Sequence, residues 1–149
     1  MTATKYNARD VIFQIEDLGT PNTWIQIAGI DTFSKGHEEE TTDTTDFGSE
    51  GQAESQKMQI GKTLQLEGKR MQDQATGALD PGQAEVEALA ELLGDDSLGR
   101  IRFHAPGDTT WEIWTAHVSL GDQGGGNNDK VSWSATFTRS GASTTAAIV

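Results

Sequence analysis

The side chains best suited to acid–base chemistry near neutral pH are three histidines, His37, His104 and His117, since imidazole titrates closest to that range. None has the company that catalysis requires. The chain holds no G-x-S-x-G nucleophile elbow and no His-x-x-x-His pair for zinc. His37 opens an acidic stretch, His104 shares a basic strand face with Arg100 and Arg102, and His117 lies opposite Trp114, which fits surface or interface residues. Gly61, Lys62 and Thr63 resemble the end of a phosphate-binding loop. Gln56 stands where that loop needs its first glycine, however, and the segment alternates like a strand. The triplet Asp46-Phe47-Gly48 has none of the other kinase elements around it. Gly124 to Asp129, GGGNND, approaches a calcium-binding nonapeptide but carries Asn127 at a glycine position and does not repeat. Asp43, Asp46 and Glu50 lack the alternating oxygen ligands of an EF-hand loop. With no cysteine, disulfides, thiolate metal sites and a cysteine nucleophile are all excluded. The residues point away from an enzyme and from any metal or cofactor.

The elements that carry these residues belong to one domain, since 149 residues suit a single core. Asp and Glu number 23 against 11 Lys and Arg, a net charge of −12, so the surface repels phosphate and is poorly suited to counterion-release binding of nucleic acid. The N-terminal MTATKYNARD has no apolar h-region, and no run approaches the ~20 apolar residues of a membrane span. A cytosolic origin is therefore expected, with no membrane partner.

Period two dominates the chain, as half-buried strands require. Val11, Phe13 and Ile15 share a face, and a turn-like DLGTPN separates them from a second strand with Ile25 and Ile27, predicting a hairpin. IDTFSK extends a strand beyond Gly29. Met58, Ile60, Leu64 and Leu66 face the core while Gln59, Thr63, Gln65 and Glu67 face away. Ile101 and Phe103 follow the same rule, as do Trp114, Ala116, Val118 and Leu120. Val131, Trp133, Ala135 and Phe137 oppose Ser132, Ser134, Thr136 and Thr138 across the glycine-rich connector GDQGGGN, a second hairpin signal. One helix stands out over about 81–93: Asp80 as N-cap, Pro81 at its first position, Gln83 at the capping-box position, Gly94 as terminator, and an apolar stripe of Val86, Leu89, Ala90 and Leu93. The expected fold is mainly β, an antiparallel β-sandwich or open barrel with that one flanking α-helix. A long acidic loop interrupts it over about 38–56, and polar arms cover 1–9 and 140–149.

The order of these features resembles the tail tube proteins of long-tailed bacteriophages. The residues that carry the resemblance are TWIQIAGIDTFS with Trp24, Gly29 and Phe33, the loop TTDTTDFGSEG, the strand TLQLEGKRMQD, the helix DPGQAEVEALAELL and the closing NNDKVSWSATFTRSG, nearly the whole chain in layout. The resemblance implies homo-hexameric rings stacked into a tube around a continuous inner β-barrel. It also implies a tape-measure protein in the channel during assembly, tail terminator and tail-tip proteins as partners, and DNA passing through without specific binding. The chain would lie in the virion tail after assembly in a bacterial cytoplasm. On that basis the loop reaches from ring to ring and orders on contact, through Thr41, Thr42, Asp43, Thr44, Thr45, Asp46, Phe47, Gly48 and Glu50. Candidate channel-lining residues are Gln59, Thr63, Gln65, Glu67, Ser132, Ser134 and Thr136, and Arg100, Arg102 and His104 belong outside the channel or in a subunit contact. The rival reading is a monomeric β-sandwich that binds a ligand such as carbohydrate on Trp24 and Trp111.

Overall fold

A computed structural model describes residues 2–148. The chain forms eight strands and one helix: β1 (Ile12–Glu16), β2 (Trp24–Gln26), β3 (Ile30–Asp43), β4 (Ser55–Lys69), α1 (Pro81–Ala90), β5 (Gly99–His104), β6 (Thr110–Leu120), β7 (Ser132–Arg139) and β8 (Thr144–Ala147). All strands join one antiparallel sheet in the order β2-β1-β5-β6-β7-β4-β3. The sheet curls until its flanks nearly meet: the rings of Phe13 on β1 and Phe33 on β3 lie 5.1 Å apart, edge to face. No ladder closes that gap, so the result is an open barrel.

The alternation of the sequence becomes the inside and outside of this curl. Ile15, Leu64, Leu66, Ile101, Phe103, Trp114, Ala116, Val118, Trp133, Ala135 and Phe137 point inward and are buried, with Val86 and Leu89 of α1 packed among them. The expected core ends short of two residues. Met58 and Ile60 are 62% and 52% exposed, because β7 accompanies β4 only from Thr63 to Lys69 and nothing lies beneath the earlier half of the strand. Val131 precedes β7 and is likewise exposed.

The acidic stretch is strand at both ends. β3 continues to Asp43 and β4 begins at Ser55, paired through Asp43 and Ser55, so only residues 44–54 connect them. Alternating polar residues on a two-stranded ribbon need no core on either face; their backbone groups are satisfied by the ladder. The C-terminal arm also contributes structure: β8 pairs Thr110 to Ile113 of β6 with Thr144 to Ala147. It uses the edge on which β7 pairs Ala116 to Leu120, resuming after a detour at Ser140, whose N–H donates to Thr115 O at 2.7 Å. Met1 and Val149, at the ends of the two expected arms, lie outside the described residues.

The helix begins as the sequence predicts and stops three residues early. Asp80 caps it, accepting from Gln83 N at 3.3 Å, and Pro81 opens it. The last turn tightens at Glu91 and Leu92, and Leu93 is extended and 86% exposed, because the chain must turn back to enter β5 at Gly99. Gly82 is required where the helix rests on β2: a Cβ there would collide with the backbone of Gln26 and Ile27. Gln83 does not complete a capping box. Its side chain is fully buried, donating Nε2–H to Lys69 O at 2.8 Å and Ala28 O at 3.0 Å and accepting from Met71 N at 3.0 Å.

Replacing Gln83 by Leu strands one backbone donor and two acceptors, and leaving a buried polar group unpaired costs about 1–3 kcal/mol. Gln83→Leu is expected to lower the unfolding free energy by about 3 kcal/mol or more, against about 1 kcal/mol for Asp80→Ala through loss of its cap. Urea denaturation of both variants checks the order; equal losses would remove Gln83 from its pinning role.

Candidate assembly surfaces

Beyond Gly36 on β3 and Thr63 on β4 the hairpin has no third strand. Seven residues at about 3.3 Å each carry this arm roughly 20 Å past the core. Of the residues expected in ring-to-ring contact, Thr41, Thr42 and Asp43 end β3, opposite Lys57, Gln56 and Ser55. Thr44, Thr45 and Asp46 enter the turn, Phe47 and Gly48 lie in a short 3-10 helical turn, and Glu50 follows in the left-handed region at φ 53°. Local side-chain bonds hold the tip together. Asp43 accepts from Thr45 N at 2.8 Å, Thr45 Oγ1 accepts from Glu54 N at 2.9 Å, and Ser49 Oγ accepts from Asp46 N at 3.1 Å. These bonds give the tip partners within its own chain. Phe47 is fully exposed at its end.

An ionic network sits on the inward face of the arm. Glu39 Oε1 lies 2.8 Å from both Lys57 Nζ and His37 Nε2, and Lys62 Nζ lies 2.6 Å from His37 Nδ1. An ammonium can only donate, so Nδ1 accepts and Nε2–H points to Glu39. Hydrogen bonds from Lys57 and then His37 hold the Glu39 carboxyl below its usual range, and Thr45 does the same for Asp43.

The sheet register gathers most of the expected channel residues into one patch on the outer face. Thr63 opposes Thr138, Gln65 opposes Thr136, and Glu67 opposes Ser134, with Ser132 beside Lys69. Gln59 shares the face but lies out on the arm opposite Glu40. Strand neighbours that pattern reading leaves out complete the patch: Thr32 and Ser34 on β3, and His117 and Ser119 on β6. Gly61, Lys62 and Thr63 are extended within β4.

Arg100, Arg102 and His104 lie on the same outer face, one strand beyond β6. Arg102 is sandwiched: its guanidinium carbon is 4.4 Å from the Trp24 ring and 4.2 Å from the Trp111 ring. Its Nε–H donates to Gln14 at 2.8 Å. Arg100 lies 5.2 Å from Trp24 and 3.4 Å from Glu16, and His104 stands edge-on to Trp111 at 4.4 Å. Burial and then the Arg100 charge pull the Arg102 pKa below its ordinary value. Trp114 and Trp133 are core residues. The two tryptophans proposed as a ligand platform carry the Arg102 guanidinium between them, where a sugar would have to stack.

No protein-family description and no curated protein sequence matches the chain. Solved structures do. A chain in the tail of an empty gene transfer agent particle with C6 symmetry superposes at a TM-score of 0.70 with 18% identity, over 96% of this chain and 100% of that one. A chain of the native gene transfer agent virion gives 0.68 at 18% identity, again over 96% and 100%. One from the six-fold symmetrised baseplate of the anti-feeding prophage gives 0.62 at 14% identity, over 98% of each chain. The chain has the fold of phage-like tail particle subunits.

The Glu39 network carries a pH signature of definite sign. A carboxyl whose folded pKa is depressed stabilises the fold above its unfolded pKa, and that contribution is lost as pH falls through the folded value. Amide exchange between Glu39 and Ile60 is expected to accelerate below the ordinary glutamate range while core amides on β6 stay protected. Glu39→Gln should abolish that pH dependence; an unchanged profile in the variant would assign the arm's acid sensitivity to other carboxylates.

Proposed function

We propose that the chain is a structural virion protein, not an enzyme, that assembles into stacked hexameric rings forming a tail tube through which DNA is delivered. The observation that carries this reading is the superposition over nearly its whole length on a chain from a tail of C6 symmetry. Two features of the chain support it. β3 is paired on one edge only, so fourteen residues present unpaired backbone groups of the kind another chain can complete. The arm adds an ordered projection with an exposed aromatic tip, shaped for the next ring.

The hydroxyl-rich patch of Thr63, Gln65, Glu67, Ser134 and Thr136 is the proposed channel wall. Small uncharged side chains give phosphate no fixed partner, and Glu67 adds a repulsion repeated by every subunit, screened beyond roughly 8–10 Å at physiological salt. A tape-measure protein during assembly, terminator and tail-tip proteins at the ends, a site in the virion tail, and assembly in the host cytoplasm complete the proposal. A carbohydrate module is disfavoured by the arginine between Trp24 and Trp111.

Negative-stain microscopy of the purified chain is expected to show rings or tubes, and a strictly monomeric protein over a wide concentration range would sink the reading. Replacing Thr44 to Ala53 by a short Gly-Ser turn should leave the fold intact, since loop closure entropy varies slowly with length, yet abolish tubes. For the wall, unmodified tubes should not bind duplex DNA even at about 50 mM salt, where electrostatic binding is strongest. Glu67→Lys tubes should retain DNA; if they do not, another face lines the channel.

A further inference from the structure

We propose that the surface formed by Arg100, Arg102 and Trp24 receives the acidic arm tip of a second copy of this chain. The inference rests on the tube reading and names the acceptor that this reading leaves open. The donor is extreme in charge: seven acidic and no basic residues lie between Glu38 and Glu54. Internal bonds engage Asp43 and Asp46, while Glu50 and Glu54 stand exposed beside Phe47.

The acceptor is unusual in the opposite sense. Three cations elsewhere on the sheet and its exits have carboxylate partners: Lys57 with Glu39, Lys69 with Asp31, Arg70 with Glu87. Arg102 has no carboxylate within 4.0 Å among the described residues, and only its Nε donates a hydrogen bond there. Stacking between two indoles fixes the plane of the guanidinium, so its terminal nitrogens are oriented before any partner arrives, and a bidentate carboxylate is the ligand that such a fork fits. Trp24 is only half-buried, leaving an aromatic edge for Phe47.

The arm leads away from this surface within its own chain. The curl brings β3 close to β5, with Lys35 Nζ 4.8 Å from the Phe103 ring. The two strands run in the same direction through the intervening antiparallel ladders, so the arm leaves past the end at which β5 finishes while Arg100 and Arg102 lie before that end. A tip-to-face contact between copies joins unlike surfaces, which build a ring when the rotation closes and an open stack when it does not; in the tube reading it adds one layer to the next.

The chain has no cysteine, so a designed pair reports this contact directly. Glu50→Cys marks the tip and Thr115→Cys marks the acceptor, since Thr115 is exposed and opposes Arg100 in the register. Oxidised tubes of the double variant are expected to run as a ladder of covalent oligomers on a non-reducing gel, and neither single variant should do so. A charge swap provides a second readout. Arg100→Glu with Arg102→Glu, or Glu50→Lys with Glu54→Lys, should each cut tube yield at least tenfold, and the two sets combined should restore it. Tubes of the cysteine variant without a ladder, or normal tubes with both arginines reversed, overturn the proposal while leaving the tube reading intact. A wild-type chain that forms no tubes overturns both.

Discussion

One buried amide holds the architecture in register. Gln83 joins three backbone groups of two distant chain segments, the β2–β3 link at Ala28 and the exit of β4 at Lys69 and Met71. Both segments leave the sheet there, so neither can satisfy these groups by strand pairing. The helix supplies the partner and is fixed by it, which sets Val86 and Leu89 over the core. Asp80 reinforces the junction by accepting from Ala28 N as well as from its own helix. A polar side chain at this point specifies position where an apolar one would supply only burial.

Everything outside the curl inherits its placement from that junction. With the inner face committed to the core, the outer face carries two chemically distinct fields on one continuous sheet: small hydroxyls on β4 and β7, and stacked arginines on β5. Only β6 separates the two fields, so a single subunit carries a largely uncharged patch and a cationic one on the same sheet. The curl turns these strands toward different sides.

Much of the sheet was legible because Leu64 and Leu66, or Trp133, Ala135 and Phe137, alternate against polar neighbours. The same signal misled at Met58 and Ile60, since periodicity says which way a side chain points and nothing of whether a third strand lies beneath it. Gln83 reads as a capping residue on any helical projection, and its burial depends on backbone groups twelve or more positions away. β8 is Thr-Thr-Ala-Ala, without bulk or contrast to mark it. For the surfaces, the alternation of Arg100, Arg102 and His104 marks a basic face, but Trp24 and Trp111 join it only through register across neighbouring strands. The arm was visible as polarity and length; that most of it is ladder follows from pairing between two polar strands, which leaves no hydrophobic trace.

The strand order also has a kinetic side. β5, β6 and β7 form a local meander, whereas β1 must find β5, bringing Gln14 to Arg102 across 88 positions, and β4 must find β7. Contacts this remote in sequence slow the search for the native state. During synthesis the first four strands emerge before any of their central partners exist, so the arm hairpin is exposed on an unfinished chain. Its acidic tip then acts as mutual repulsion between nascent chains, holding them apart while the meander is still incomplete.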